Sequence, residues 1–280
     1  MTLPGPGLAA YLHWLGSAAG RLEADARRAG PGAQVPTCPG WTVRDLLVHQ
    51  GMVHRWAAVN VAGSAAAGLP AGLASDEAAR RAEAAGYAAA DLPGWFRSGS
   101  AALAAALADA PPDLAAMVFL RDAPAPREFW ARRQAHETAV HAVDALAAVL
   151  GRTPLAAESR IGPAQALDGI DELLCGFLPR HRTQLRTDRT VLVHIRAVDV
   201  PGTGPGPHTG SAPSAWNVQL GQEPPRTERT AAVPERADAI ISAAPAALYL
   251  GLWNRGGELE ASGDAGVLQL WRQQMRVNWS

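Results

Sequence analysis

Long helix-forming runs, each closed by proline or glycine, fill the first 150 residues and set what this chain can fold into. Leu8 to about Arg28 is rich in Ala and Leu and stops at Gly30-Pro31. After the turn Cys38-Pro39-Gly40-Trp41, Thr42 stands three residues before Asp45. That is a capping-box-like start with a shorter acid, and the helix it opens runs to about Val61. About Asp76 to Ala110 is helix-forming again, interrupted at Pro93-Gly94 and ended by Pro111-Pro112. Beyond a loop holding Pro124 and Pro126, about Glu128 to Leu150 forms a strong helix ended by Gly151. Four long helices must each bury an apolar stripe, and a four-helix bundle is the economical solution.

The second half changes character. Ala166 to Arg180 reads as one more helix, and Thr190 to Val198 alternates at period two, the pattern of a strand. Trp216 to Leu220 and the stretch Arg229 to Ile241 read as further strands, while Pro201 to Pro213 is Gly/Pro-rich loop. Ala246 to Trp253 reads as helix, Gly257 to Ala261 as a short strand, and Ala265 to Val277 as a final helix. The expectation is a bundle over residues 1–155 followed by a small α+β domain over 156–280.

Composition narrows the chemistry. The formal net charge is −1 with no basic block, which argues against nucleic acid as a partner and against a polybasic membrane patch. No lysine occurs anywhere, so lysine Schiff bases, pyridoxal phosphate chemistry and a P-loop are excluded. Cys38 and Cys175 are the two cysteines and form no CxxC, so a disulfide scaffold is not expected and a reducing cytoplasm is. The first residues lack a basic segment and carry Tyr11, His13 and Trp14 where a signal peptide is apolar. No window approaches about 18 apolar residues, so no membrane span is expected.

The segment from Trp130 to Ala145 carries most of the chemical information. Glu137 and His141 are i and i+4, which on a helix places them on one face with Cβ atoms about 5–6 Å apart. This is not the zincin HExxH motif, because His136 and His141 are five apart and point about 140° away from each other. A third ligand must come from another helix. His49 shares its face with Leu46, Val53 and Trp56, the apolar stripe, and so points inward; His54, five residues on, is expected to face away. Two His and one carboxylate leave a position open for water or substrate, the pattern of catalytic zinc, and the set also suits Ni²⁺, Co²⁺ or Fe²⁺. Spacing by itself leaves a second reading open, with His49 a hydrogen-bonded core residue and Glu137 and His141 a surface pair. Asp144, three residues after His141, is either an acceptor for a ligand imidazole or a solvated acid. Cys38 stands before a helix N-terminus, a place that can depress a thiol pKa, but is read as structural.

Residues 35–49, VPTCPGWTVRDLLVH, and 130–145, WARRQAHETAVHAVDA, resemble the mycothiol-dependent maleylpyruvate isomerase family. In the second half, residues 168–174 (DGIDELL), 250–255 (LGLWNR) and 262–268 (SGDAGVL) resemble that family's C-terminal domain. The resemblance covers nearly the whole chain. It implies a DinB-like four-helix bundle followed by a small α/β domain similar to sterol-carrier folds. It implies a divalent metal, usually zinc, held at the positions of His49, Glu137 and His141, with mycothiol, the small thiol of actinobacteria, as cosubstrate. An all-Arg, Ala-rich chain fits such a genome. Ala142 and Val143 replace a larger pair expected after the second metal histidine, so the substrate is not carried over with the family.

The expected function is therefore a metal- and mycothiol-dependent isomerase or thiol S-transferase acting on a small electrophile. The other readings are a metal-dependent hydrolase and a non-catalytic binding protein with a structural metal. Arg255 is a candidate to bind a carboxylate of substrate or thiol, against the simpler reading of a cation near a helix C-terminus.

Overall fold

A computed structural model describes residues 6–63, 65–198, 214–230, 232 and 234–275. They divide into two compact units, one of Pro6–Val118 with Pro124–Pro154, the other containing Phe119–Ala123 and the chain from Leu155 onward.

The first unit is helical: α1 (Leu8–Ala29), α2 (Val43–Ala62), α3 (Ser75–Ala88), α4 (Leu92–Asp109) and α5 (Pro126–Leu150). The start of α2 is a reciprocal capping box. The Thr42 hydroxyl accepts from the Asp45 N–H at 3.3 Å, and the Asp45 carboxylate accepts from the Thr42 N–H at 2.9 Å. The run expected as one interrupted helix over 76–110 is two helices. Asp91 caps the second by accepting from the Gly94 N–H at 3.0 Å, and Pro93 is confined to its first turn, where a missing N–H costs nothing. Helix α1 packs on α4 and α5, and α2 packs on α4 and α5, which closes a four-helix ring; α3 lies outside it against α2. Trp95 of α4 reaches α2 at Gly51, where a Cβ would overlap the indole, so glycine is required for this approach. Arg55 stacks on the same indole, 4.0 Å from its centroid.

The second unit carries a sheet of five strands in the order β3-β2-β1-β4-β5: β1 (Val191–Ala197), β2 (Ala215–Leu220), β3 (Arg226–Thr230), β4 (Ala239–Ala243) and β5 (Glu260–Gly263). Among the described residues, only the β1–β4 pair is parallel. Val193 and Ile195 of β1, Trp216 and Val218 of β2 and Ile241 of β4 are buried on its inner face. Helices α6 (Pro163–Asp171), α7 (Pro245–Leu252) and α8 (Ala265–Gln274) complete the unit. The helix expected over Ala166 to Arg180 is α-helical only to Asp171 and then widens to a π-helix, Glu172–Phe177, in which the Leu178 N–H reaches the Leu173 carbonyl at 3.0 Å. The Arg226–Thr230 and Ala239–Ala243 strands replace the single stretch expected from Arg229 to Ile241. The loop expected over 201–213 and the end of the last expected helix, 276–277, lie outside the described residues. Among the described residues, no helix is long and apolar enough to cross a membrane.

Candidate metal centre

Two neighbouring helices of the bundle supply the candidate site. His49 comes from the second turn of α2, and Glu137 and His141 come from adjacent turns of α5. Each offers one ligand atom, and the three atoms lie within 4.8 Å of one another. Glu137 Oε1 is 3.4 Å from His141 Nε2 and 3.8 Å from His49 Nε2. These separations are long for hydrogen bonds but natural for atoms around one ion. Tetrahedral N/O ligands about 2.0–2.1 Å from zinc sit about 3.3 Å from each other.

The set fits a divalent cation for a further reason. Glu137 is buried, yet its Oε1 has no hydrogen-bond partner among the described residues, while Oε2 accepts from Arg133 at 3.0 Å. A buried carboxylate oxygen with no hydrogen bond of its own, flanked by two imidazole nitrogens, is a donor set that a divalent cation would satisfy. Burial raises the carboxyl pKa, but His141, His49 and Arg133 outweigh it and hold the group well below the ordinary carboxylate range. Glu137 is therefore an anion ready to ligate.

His141 is oriented from behind. Its Nδ1–H donates to Asp144 Oδ2 at 2.9 Å, which turns Nε2 toward Glu137 and His49. Asp144 is fully buried, so it is not a solvated acid; it also accepts from the Thr37 hydroxyl at 2.6 Å and from the Cys38 thiol at 3.3 Å. Burial lowers the His141 pKa, but Asp144 and Glu137 outweigh that and raise it to about 9. A cation entering the site must displace this proton. The turn that supplies Thr37 and Cys38 also supplies Trp41, whose indole lies 6.2 Å from the His141 ring, nearly parallel, and 5.0 Å from the His49 ring. The His49 side chain remains 19% exposed, which leaves a route from solvent to the site.

The other residues singled out in the sequence fall elsewhere. His136 is buried beside Trp14, 6.3 Å between ring centroids, and does not join the three ligands. His54, expected to face away from the side of His49, does not join the three ligands. It is fully buried, its Nε2 2.9 Å from the Thr138 hydroxyl and 2.9 Å from Gln50 Nε2, because α2 is covered by α5 on one side and by α3 and α4 on others. Burial, and secondarily the Arg55 charge, push its pKa down to about 3, so its ring is neutral. Arg255 lies in the second unit, where its guanidinium donates to the Trp253 carbonyl at 3.1 Å, at the C-terminal end of α7. Arg133 and Thr37 were not singled out. Arg133 is readable in hindsight, being four residues before Glu137 on the same face, but the contact of Thr37 with Asp144 spans 107 positions and has no local signal.

Comparison with known proteins places the chain by family and by fold. The model of the mycothiol maleylpyruvate isomerase N-terminal domain matches residues 12–146, and that of the C-terminal domain of the same family matches residues 164–270. A crystal structure of the mycothiol-dependent maleylpyruvate isomerase is similar over 92% of this chain and 93% of its own, with a TM-score of 0.55 and 14% identity. A histidine-to-alanine mutant of that isomerase gives a TM-score of 0.56 at the same identity and coverage. At this identity the likeness shows a shared fold. No curated protein sequence matches the chain.

Proposed function

The chain belongs to the mycothiol maleylpyruvate isomerase family, and we propose that it is a metal-dependent enzyme using mycothiol to isomerise, or to transfer the thiol to, a small electrophilic substrate. The observation that carries this reading is the convergence of His49, Glu137 and His141 around an unsatisfied carboxylate oxygen. His49, Glu137 and His141 would hold a divalent metal, zinc or nickel, which would supply a lowered pKa to a thiol bound beside them.

The protein's own groups do the rest by placement. Arg133 fixes one oxygen of Glu137 so that the other is presented to the ligand position. Asp144 fixes the His141 tautomer, and Thr37 and Cys38 fix Asp144. Trp41 screens both imidazoles on one side and leaves the approach past His49 for thiol and substrate. In this reading the first 155 residues form the metal-binding domain and residues 156–280 a separate α+β domain. The enzyme is cytoplasmic and takes small molecules rather than nucleic acid or membrane. Arg255 is the candidate anchor for a carboxylate of thiol or substrate.

The test is elemental analysis of purified protein followed by turnover of a chromogenic electrophile, with and without mycothiol. About one divalent transition metal per chain and mycothiol-dependent turnover are expected. Ester hydrolysis that needs metal but no thiol would support the hydrolase reading instead, and metal without any turnover would support a structural ion.

A further inference from the structure

Beside the three ligands lies a second set of polar side chains that ligand binding does not use. Gln50 follows His49 on α2, and Thr138 follows Glu137 on α5. Gln50 Nε2 donates to the Thr138 hydroxyl at 3.1 Å, and His54, one turn further along α2, shares a hydrogen bond with the same hydroxyl at 2.9 Å. Thr138 in turn donates to the Gln134 carbonyl at 2.7 Å, which holds its rotamer. Gln50, His54 and Thr138 are all fully buried.

As a device for stability this layer is poor. Among the described residues, His54 Nδ1 and Gln50 Oε1 have no hydrogen-bond partner, and buried orphans of this kind destabilise. Apolar side chains of similar volume would pack without that cost. The layer instead supplies register. Helix α5 is buried from Phe129 to Ala145, and Ala131, Ala135, Ala139 and Ala142 form a stripe of small side chains along it, which interlock less with a neighbouring helix than large ones do. A metal site tolerates ligand displacements of only about 0.2 Å. The Gln50–Thr138 bond joins the residues next to His49 and Glu137, so it sets the level at which those two ligands meet.

We infer that Gln50, His54 and Thr138 are positioning residues, a buried polar pin that holds α2 against α5 in the register the metal requires. The inference rests on the metal reading of His49, Glu137 and His141. It assigns the pin no contact with metal or substrate.

The test replaces the pin as a whole, with Gln50→Met, His54→Leu and Thr138→Val combined, and compares it with Thr138→Ser, which keeps the hydroxyl. Co²⁺ titration followed by its visible spectrum reads affinity and geometry, and thermal melting of the metal-free protein reads stability. The combined variant should melt no lower than wild type, yet bind Co²⁺ at least tenfold more weakly with an altered spectrum; Thr138→Ser should match wild type. Wild-type affinity and spectrum in the combined variant would overturn the inference, as would a loss of affinity that merely tracks a lowered melting point. Wild-type protein that takes up no Co²⁺ overturns the metal reading itself, and the inference with it.

Discussion

His141 and Asp144 form a buried pair in which the imidazole Nδ1–H donates to the carboxylate at 2.9 Å, one helical turn along α5. The pair makes Nε2 the free nitrogen of His141 and aims it at Glu137. Outer partners of metal-binding imidazoles typically contribute ten- to a hundredfold in affinity. Asp144→Asn keeps an acceptor but loses the charge, and it should weaken metal binding by about tenfold or more while the protein remains folded. Competition with a chromogenic chelator measures this directly; unchanged affinity would show that Asp144 only fills space.

The Cys38 thiol donates to Asp144, and Cys38 is not one of the three grouped ligands. A serine hydroxyl can make the same donation. Cys38→Ser should therefore retain the metal and keep thiol-dependent turnover within a few-fold of wild type. Loss of turnover with metal content intact would mean that Cys38 takes part in the chemistry.

His54 makes acid lability predictable. Its folded pKa, near 3, lies below the 6.5 of an unfolded histidine, so the unfolded chain takes up the proton first. The stability tied to its neutral form is complete above about pH 6.5 and is lost as pH falls toward 3. At pH 5 the loss is about 2 kcal/mol. Urea unfolding of wild type and His54→Leu at pH 7 and pH 5 should show a steeper fall in wild type by about that amount. Parallel pH profiles would assign the acid sensitivity to other groups.

Removing the metal separates a catalytic ion from a structural one. The bundle rests on buried apolar residues such as Leu15, Leu46, Phe96 and Leu103, not on the ligands. Chelation, or His141→Ala, should abolish thiol-dependent activity while the thermal midpoint falls only modestly, and His136→Ala should keep the metal. Unfolding of the bundle on chelation, with no thiol-dependent reaction in the metal-loaded protein, would sink the enzyme reading.

Helix content, the capping box at Thr42 and the i, i+4 relation of Glu137 and His141 were readable from the chain because each depends on residues within one or two turns. The inward aspect of His49 was readable from the stripe it shares with Leu46 and Val53. An interruption near Pro93 was visible, though not that the break falls at 89–91 and leaves a helix outside the ring, because that depends on which neighbour α3 packs against. The switch from α- to π-helix after Asp171 had no local signal; Asp171 is held by Arg229, 58 positions away, at 2.6 Å.

What the sequence determined by itself was therefore a helical first half, a mixed second half and a set of metal-type donors, since periodicity and spacing are properties of a single helix or strand. Tertiary structure alone decided which donors meet. It put His49 3.8 Å from Glu137, clipped the Thr37–Cys38 turn onto Asp144, and buried His54 in a polar layer against Thr138. Each of these joins positions between 84 and 107 residues apart or the same face of two different helices. Helix periodicity states which way a side chain points but not what stands opposite, and that is settled only when the helices pack.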